Sequence, residues 1–409
     1  MSTMRPRRIA MVAACPFPCE RGTPIRIHRL SEALAARGHD VHVVTYHLGE
    51  PAVVRSIKIH RIADVPTYRR LEPGPTLQKL LVVDVLLARK LARLMREQPF
   101  DVIHAHHVEG LIAALLARRG TRCPIVFDAH TLLQSELPFY GFFPTRAIRS
   151  RLGWMLDRGL PPWADYIIAV TEEIRTRLLE LGAADPNRIA VIGNGVERDL
   201  FDQASRESAN GRTERTLVFT GNLAAYQGVE QMLRGFAALR ARRSDVRLMV
   251  VSGSSFDAFE ALAEGLGVRD AIEVVHGGFE EVPGRLARSD VALNPRGDAP
   301  GVPQKSLNYM AAGLPIVSFR GSGRHLVDGD TALLAEDGDI EGFAAAIERI
   351  LDDPALARRL GQAAQGHARS AMSWERSATL VEQVYGEAIA LMAGRPDAPA
   401  TRCAPQSHG

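Results

Sequence analysis

The stretch GDAPGVPQKSLNYMAAGLPIV, residues 297–317, reads as a loop, a helix and then a buried strand. Gly and Pro fill its first half, Lys305 stands where the helix begins, and Gly313 with Pro315 closes it before PIVSF (315–319). Only four lysines occur in the chain (Lys58, Lys79, Lys90, Lys305), and Lys305 is the only one in the C-terminal half. Its position has a physical reading. The start of a helix presents unpaired N–H groups and a partial positive charge, which favour an anion. Gly301 lets the backbone approach closely, and Lys305 adds a full charge in the first turn. A diphosphate suits such a corner. The plainer alternative is a solvated lysine on a surface helix.

Working outward, the same strand–helix rhythm runs through both halves of the chain. RIAMVAA (8–14), HDVHVVTY (39–46), DVIHAH (101–106), PIVFDAH (124–130) and YIIAV (166–170) read as strands. Helices fall at 23–38, 76–97, 109–119 and 171–182. The segment 196–216 is polar, lacks periodicity and reads as a linker. The rhythm then restarts with strands at 217–221, 246–253, 271–275, 290–295 and 315–319, and helices at 228–242, 256–266 and 280–288. Three further helices follow, at 339–352, 354–370 and 374–393. Strands alternating with helices imply parallel sheets covered on both faces. The expected fold class is therefore α/β, with two Rossmann-like doubly wound domains: 1–195 and 217–373. Such sheets bind ligands at the carboxyl ends of their strands, so the expectation is an interdomain cleft. The tail 396–409 reads as disordered.

Composition narrows the class. Of 409 residues, 46% are hydrophobic and 24% charged, as in an ordinary globular protein, and a net charge of +3 does not argue for nucleic acid. No apolar run is long enough to span a membrane. The apolar run after MSTMRPRR has the length of a strand and is short for a secretory signal, so a cytoplasmic protein is expected. Cys15 and Cys19 stand in a CxxxC spacing with no second pair nearby to complete a zinc site, which points to reduced cysteines.

Several motifs in order give the chain a resemblance. CERGTPIR (19–26), RGHDVHVVT (37–45), DVIHAHH (101–107), ADYIIAVTEEIRTRL (164–178), IAVIGNGVE (189–197), FTGNLAAYQGVEQML (219–233) and MAAGLPIVS (310–318) follow one another at the separations seen in glycosyltransferases of the GT-B fold, family 4 in particular. The resemblance runs from about residue 8 to 393, and SWERSATLVEQVYGEAI (373–389) resembles the family's C-terminal helix, which crosses back onto the first lobe. It implies a metal-independent retaining enzyme that moves a sugar from a UDP- or GDP-linked nucleotide-sugar to a hydroxyl acceptor, in bacterial glycan, polysaccharide or glycolipid synthesis.

By that resemblance the donor meets Gly22 and Thr23 after the first strand, and Gly278 and Phe279 at the base. It also meets Arg296 and the run Gly301, Val302, Pro303, Gln304, Lys305. Gly253 and Ser254 follow a buried strand of the second lobe and open a helix, which reads either as a phosphate- or sugar-approach loop or as a plain strand–helix turn. His106 matches the active-site histidine that contacts the donor sugar. Period-2 alternation puts His104 on the same face, beside His107, and His130 ends the next strand. The family's two glutamates, eight positions apart, fall on Pro300 and Asn308. Asp298 is the nearest carboxylate to the first, and Asn308 can still hydrogen-bond a ribose diol. Asn222 and Gln227 replace the family's Arg and Lys phosphate clamp, which shifts charge neutralisation to Lys305 and Arg296. The two DGD triplets, 328–330 and 337–339, read as turns, and no metal is expected.

On the acceptor side, ELPFYGFFPTRAIRSRLGWML (136–156) sets aromatics, among them Phe139 and Tyr140, between arginines. Helix 76–97 also has apolar and basic faces. Such segments suit an anionic membrane surface and a lipid-linked acceptor, or an active-site loop with core aromatics. Two other functions fit the departures: a nucleotide-sugar 2-epimerase-like isomerase, and a non-catalytic sugar-nucleotide-binding or partner subunit.

Overall fold

The computed structural model describes residues 5–19, 22–49, 56–71, 74, 76–140, 145–196, 214–276, 281–297 and 302–394. The chain divides into two compact units. The first takes in residues up to Gly193 and again from Trp374, and the second runs Asn194–Ser373.

The first unit is a seven-stranded sheet in the order β3-β2-β1-β4-β5-β6-β7. The strands are β1 (Arg8–Ala13), β2 (Asp40–Thr45), β3 (Lys58–Arg61), β4 (Val102–His106), β5 (Ile125–Ala129), β6 (Tyr166–Ala169) and β7 (Ile189–Val191). All of its pairings are parallel. Both faces are covered, so its central strands are buried along their length, and β1 is apolar but for Arg8. Ala10 and Val12 of β1 pack with Val44, Ile103 and Phe127 on one side. Ile9, Met11 and Ala13 pack with Val43, Val126 and Tyr385 on the other. Tyr385 belongs to the last helix, Trp374–Ala393, whose buried stripe closes that face.

The second unit holds a six-stranded parallel sheet in the order β10-β9-β8-β11-β12-β13. Its strands are β8 (Arg215–Thr220), β9 (Val246–Val251), β10 (Ile272–Val275), β11 (Val291–Asn294), β12 (Ile316–Phe319) and β13 (Leu333–Ala335). Leu217, Phe219 and Leu248 face one core and Val218, Met249 and Ala292 the other. In both sheets the order reverses beside the first strand, the crevice where open α/β sheets take ligands.

The structure departs from the sequence reading in a few places. Strand β8 begins at Arg215, inside the segment read as linker, and β3, β7 and β13 were not expected as strands. The long helix read at 76–97 begins as a π-turn, Lys79–Val83, before the regular helix Asp84–Glu97. The DGD carboxylates serve turns and caps: Asp328 accepts from the Leu334 N–H, and Asp339 caps helix Ile340–Asp352 at Gly342. Among the described residues, Cys15, Cys19 and Cys123 form no disulfide. The tail 396–409 lies outside the described residues.

The last helix is pinned by Glu382. Its carboxylate accepts from Arg37 Nε and Nη2 at 2.6 and 2.7 Å, and His39 Nε2 lies at 2.8 Å. Burial would push this carboxyl up, but the Arg37 and His39 hydrogen bonds hold it below its ordinary value. Its stabilisation is therefore present above the carboxylate pKa of the unfolded chain, about 4.3, and fades as pH falls through the lower folded value. Glu382→Gln should lose about 1–3 kcal/mol of stability near neutrality, and the gap to wild type should close in acid. Urea unfolding at neutral and acid pH measures it; a gap independent of pH contradicts the assignment.

Candidate active site

In the second unit, the carboxyl ends of β8 and β11 and the start of helix Gln304–Ala311 come together around Lys305. Lys305 is the second residue of that helix, after Pro303 at its cap. It is only 8% exposed, which removes the solvated-surface alternative. Its Nζ donates to Gln227 Oε1 at 2.8 Å and stands 4.1 Å from the centroid of the Phe219 ring. Among the described residues it has no carboxylate partner. Burial, with Arg296 as a nearby like charge, pushes its pKa well below the ordinary lysine value.

Gly228 makes this corner possible. Its φ is +74°, and a Cβ would lie 1.9 Å from the Pro295 carbonyl oxygen, so only glycine brings the Gln227 loop against β11. The Arg296 guanidinium lies over the Tyr226 ring at 5.5 Å, and Asn222 Nδ2 donates to the Tyr226 hydroxyl. Gln304 Nε2 donates to the Gly195 carbonyl at 3.2 Å. Asn308 is 3% exposed, and Val302 packs beneath the helix. Gly253 follows β9 with open space where a side chain would be, and the Ser254 N–H turns back to Ser252 Oγ. Asp298, Pro300, Gly301, Gly278 and Phe279 lie outside the described residues.

In the first unit, the ends of β4 and β5 carry a buried polar network. His104 and His106 stack at 4.4 Å between centroids, as alternation along a strand requires. His104 Nε2 lies 3.1 Å from Asp128 Oδ2, and its Nδ1 lies 2.7 Å from the Tyr385 hydroxyl. Arg26 Nε donates to the same carboxylate oxygen at 3.0 Å, and its Nη atoms donate to the carbonyls of Ile192 and Gly193. His106 Nδ1 meets His130 Nε2 at 3.0 Å. Thr23 Oγ1 sits between His107 Nε2, at 2.7 Å, and His130 Nδ1, at 3.4 Å. Gly22, which opens the helix carrying Thr23, has open space beside it.

The electrostatics follow from burial. Desolvation would raise the Asp128 carboxyl, but the Arg26 guanidinium beside it holds it well below the usual carboxylate range. Desolvation pushes His106 and His130 well below the ordinary histidine value, so both rings are neutral. Ligand atoms of His104, His106 and Asp128 fall within 4.8 Å of one another. The donor set does not fit a cation, because the Arg26 guanidinium already occupies the carboxylate oxygen that faces His104.

The sequence reading singled out Lys305, Gln227, Arg296, Thr23, His106 and His130, and the structure brings the first three together and the last three together, each set in its own unit. His106 is fully buried, with its remaining nitrogen 3.4 Å from Met11 Sδ. Tyr140 donates from its hydroxyl to Glu136, which also accepts from Thr131, the neighbour of His130, and Phe139 lies in the single turn Leu137–Phe139, its side chain outside the described residues. Phe219, Arg26, Asp128 and Tyr385 escaped the sequence reading. One signal was available: Asp128 is the lone charge in an otherwise apolar strand, two residues before His130.

Two Rossmann-like parallel sheets, with a basic helix start in the second, define the GT-B class. A family model described as Glycosyltransferase Family 4 matches residues 21–200, and one described as Glycosyl transferases group 1 matches 214–353. The chain belongs to the family 4 glycosyltransferases. It is 27% identical to a D-inositol 3-phosphate glycosyltransferase of Arthrobacter sp. over 94% of this chain and 96% of that one. It is 28% identical to a glycogen synthase of Mycobacterium tuberculosis, covering 88% and 89%. Among solved structures, the sucrose-phosphate synthase of Thermosynechococcus elongatus superposes with a TM-score of 0.77 at 21% identity, covering 94% and 99%. HepE of Anabaena, solved with UDP and glucose, superposes at 0.71 and 16% identity, covering 93% and 99%.

Asp128→Asn leaves Arg26 buried without its counter-charge and should cost about 3–5 kcal/mol. The double variant Arg26→Met/Asp128→Asn should cost less than the two single changes added together. Chemical denaturation of the four proteins reads this coupling; strict additivity contradicts it.

Proposed function

We propose that this glycosyltransferase moves a sugar from a nucleoside-diphosphate sugar to a hydroxyl acceptor with retention of anomeric configuration, in bacterial glycan, polysaccharide or glycolipid synthesis. The observation that carries the reading is Lys305: an amino group at a helix start, desolvated, and partnered among the described residues only by an amide and an aromatic face. A diphosphate supplies the missing anion, and its charge is greatest as the sugar departs, so the corner binds the leaving group more strongly than the intact donor. Solved relatives such as HepE carry UDP, which supports the donor class. Retention rests on the family resemblance, and the bacterial pathway on the bacterial relatives. Neutralisation falls to Lys305, the helix start and Arg296, so transfer is expected to survive EDTA.

Calorimetry with UDP and GDP on wild type and Lys305→Ala tests the donor site. One nucleotide should bind, and the variant should lose about 1.5–3 kcal/mol. Equal binding by both proteins overturns the role of Lys305, and no binding by wild type favours the non-catalytic subunit.

A specific observation also favours an acceptor presented at an anionic membrane. Leu77 and Leu81 are 64% and 69% exposed, Leu80 and Val82 are exposed beside them, and Val83 turns inward. Helix Arg146–Gly159 exposes Ile148 and Met155 among Arg146, Arg151 and Arg158. Gly74, just before the apolar stretch, sits against the Tyr140 ring, whose carbonyl Arg149 of that helix binds. Apolar side chains rimmed by guanidinium groups suit anionic headgroups over acyl chains. The protein should sediment with phosphatidylglycerol vesicles at low salt, and Leu77→Asp/Leu81→Asp should abolish this. Failure of wild type to sediment removes the membrane reading and leaves the donor site standing.

A further inference from the structure

Two basic side chains at the Lys305 corner rest on aromatic faces. Lys305 Nζ stands 4.1 Å from the Phe219 centroid, and the Arg296 guanidinium stands 5.5 Å from the Tyr226 centroid. A ring face draws a cation through its quadrupole and brings no negative charge of its own. Arg296 is close enough for its charge to oppose protonation of Lys305. An anion bound by both groups removes that penalty and lets both carry charge.

The two rings are held differently. Phe219 is a core residue of β8, whereas Tyr226 lies in the loop that follows and is 50% exposed. Packing fixes the first ring; the second needs an anchor, and Asn222 supplies it. Asn222 Oδ1 accepts from the Ala224 N–H at 3.2 Å, which turns its Nδ2 toward the Tyr226 hydroxyl, also at 3.2 Å. The Gln227 N–H closes the same turn on the Ala224 carbonyl at 2.9 Å. One loop thus presents a ring to Arg296 and an amide to Lys305.

The backbone of Arg296 is fixed independently. Ser322 Oγ donates to its carbonyl at 2.6 Å, and Asn294 Nδ2 donates to Ser322 Oγ at 2.8 Å. On the other side, Gly228 lies against the Pro295 carbonyl. These anchors leave the long side chain to be ordered. An arginine carries large rotamer entropy, and freezing it at the moment of binding weakens affinity.

We infer that Tyr226 is a positioning residue for the diphosphate, holding the Arg296 guanidinium ready for the anion that Lys305 binds. The inference rests on the nucleotide-sugar reading. Asn222 acts one step further back, through the Tyr226 hydroxyl. Tyr226 works through Arg296 and touches no ligand itself.

Two measurements on the full chain test this. Calorimetry with UDP and GDP compares wild type, Tyr226→Phe, Tyr226→Leu, Arg296→Gln and the double variant Tyr226→Leu/Arg296→Gln. The exposure of Tyr226 lets its variants fold. For the nucleotide that binds, Tyr226→Leu should raise Kd about two- to fivefold, and Tyr226→Phe, which keeps the ring, by less. In the Arg296→Gln background, Tyr226→Leu should change nothing further, a result that a purely structural role would not give. An equal loss in both backgrounds, or Tyr226→Phe as damaging as Tyr226→Leu, overturns the inference. Without nucleotide, NMR should find the Arg296 Nε–H proton shifted upfield by the ring in wild type and Tyr226→Phe, and moved back in Tyr226→Leu. A resonance that Tyr226→Leu leaves in place overturns the pairing. If wild type binds neither nucleotide, the nucleotide-sugar reading fails and this role with it, while the resonance still decides whether ring and guanidinium pair.

Discussion

Lys305 is the constraint around which the second lobe is arranged. Removing an ammonium from water costs several kcal/mol unless an opposite charge or a set of acceptors replaces the lost hydration. Among the described residues the replacements are partial: one amide oxygen from Gln227 and the face of Phe219. Neither is an anion. The corner is thus incompletely satisfied, and its electrostatics favour whatever brings negative charge. Gly228 is part of the same constraint, because the Gln227 loop reaches Lys305 only where its backbone touches Pro295.

The first lobe solves the opposite problem. Its buried carboxylate, Asp128, is matched by Arg26 within the protein, and Arg26 also holds the carbonyls of Ile192 and Gly193. Gly193 is the last residue of that unit before the chain passes into the second. One ion pair therefore fixes the histidine cluster, the exit of the chain and, through His104 and Tyr385, the returning helix. A charge-balanced network is rigid where the Lys305 corner is receptive. The two lobes divide the labour of a transferase in that sense.

The alternation of apolar runs and amphipathic helices was legible because sheets buried on both faces leave a strong pattern. The missed strands show where that pattern weakens. Strand β3 is a half-exposed edge, KIHR, and β7 and β13 are only three residues long. The π-turn at Lys79 was hidden because its sequence, KLLVV, is as apolar as a regular helix. Lys305 was legible because lysine is rare in this chain and stood at a helix start. Its Phe219 platform was not, since a core phenylalanine in a buried strand carries no mark of a cation above it. Arg26 and Asp128 are 102 positions apart, and His104 and Tyr385 281. Only the folded sheet brings such pairs together.

The central claim is that the Lys305 corner binds a diphosphate, and proton linkage tests it most directly. Burial holds the free lysine well below its ordinary pKa, and a bound diphosphate raises it again, so between the two values binding must draw protons from the buffer. Calorimetry of UDP and GDP over a pH series below the ordinary lysine value of about 10.4, in two buffers of different ionisation enthalpy, counts those protons. The account predicts net proton uptake with the nucleotide that binds, and none in Lys305→Met. Binding without uptake, or uptake that survives Lys305→Met, would contradict it.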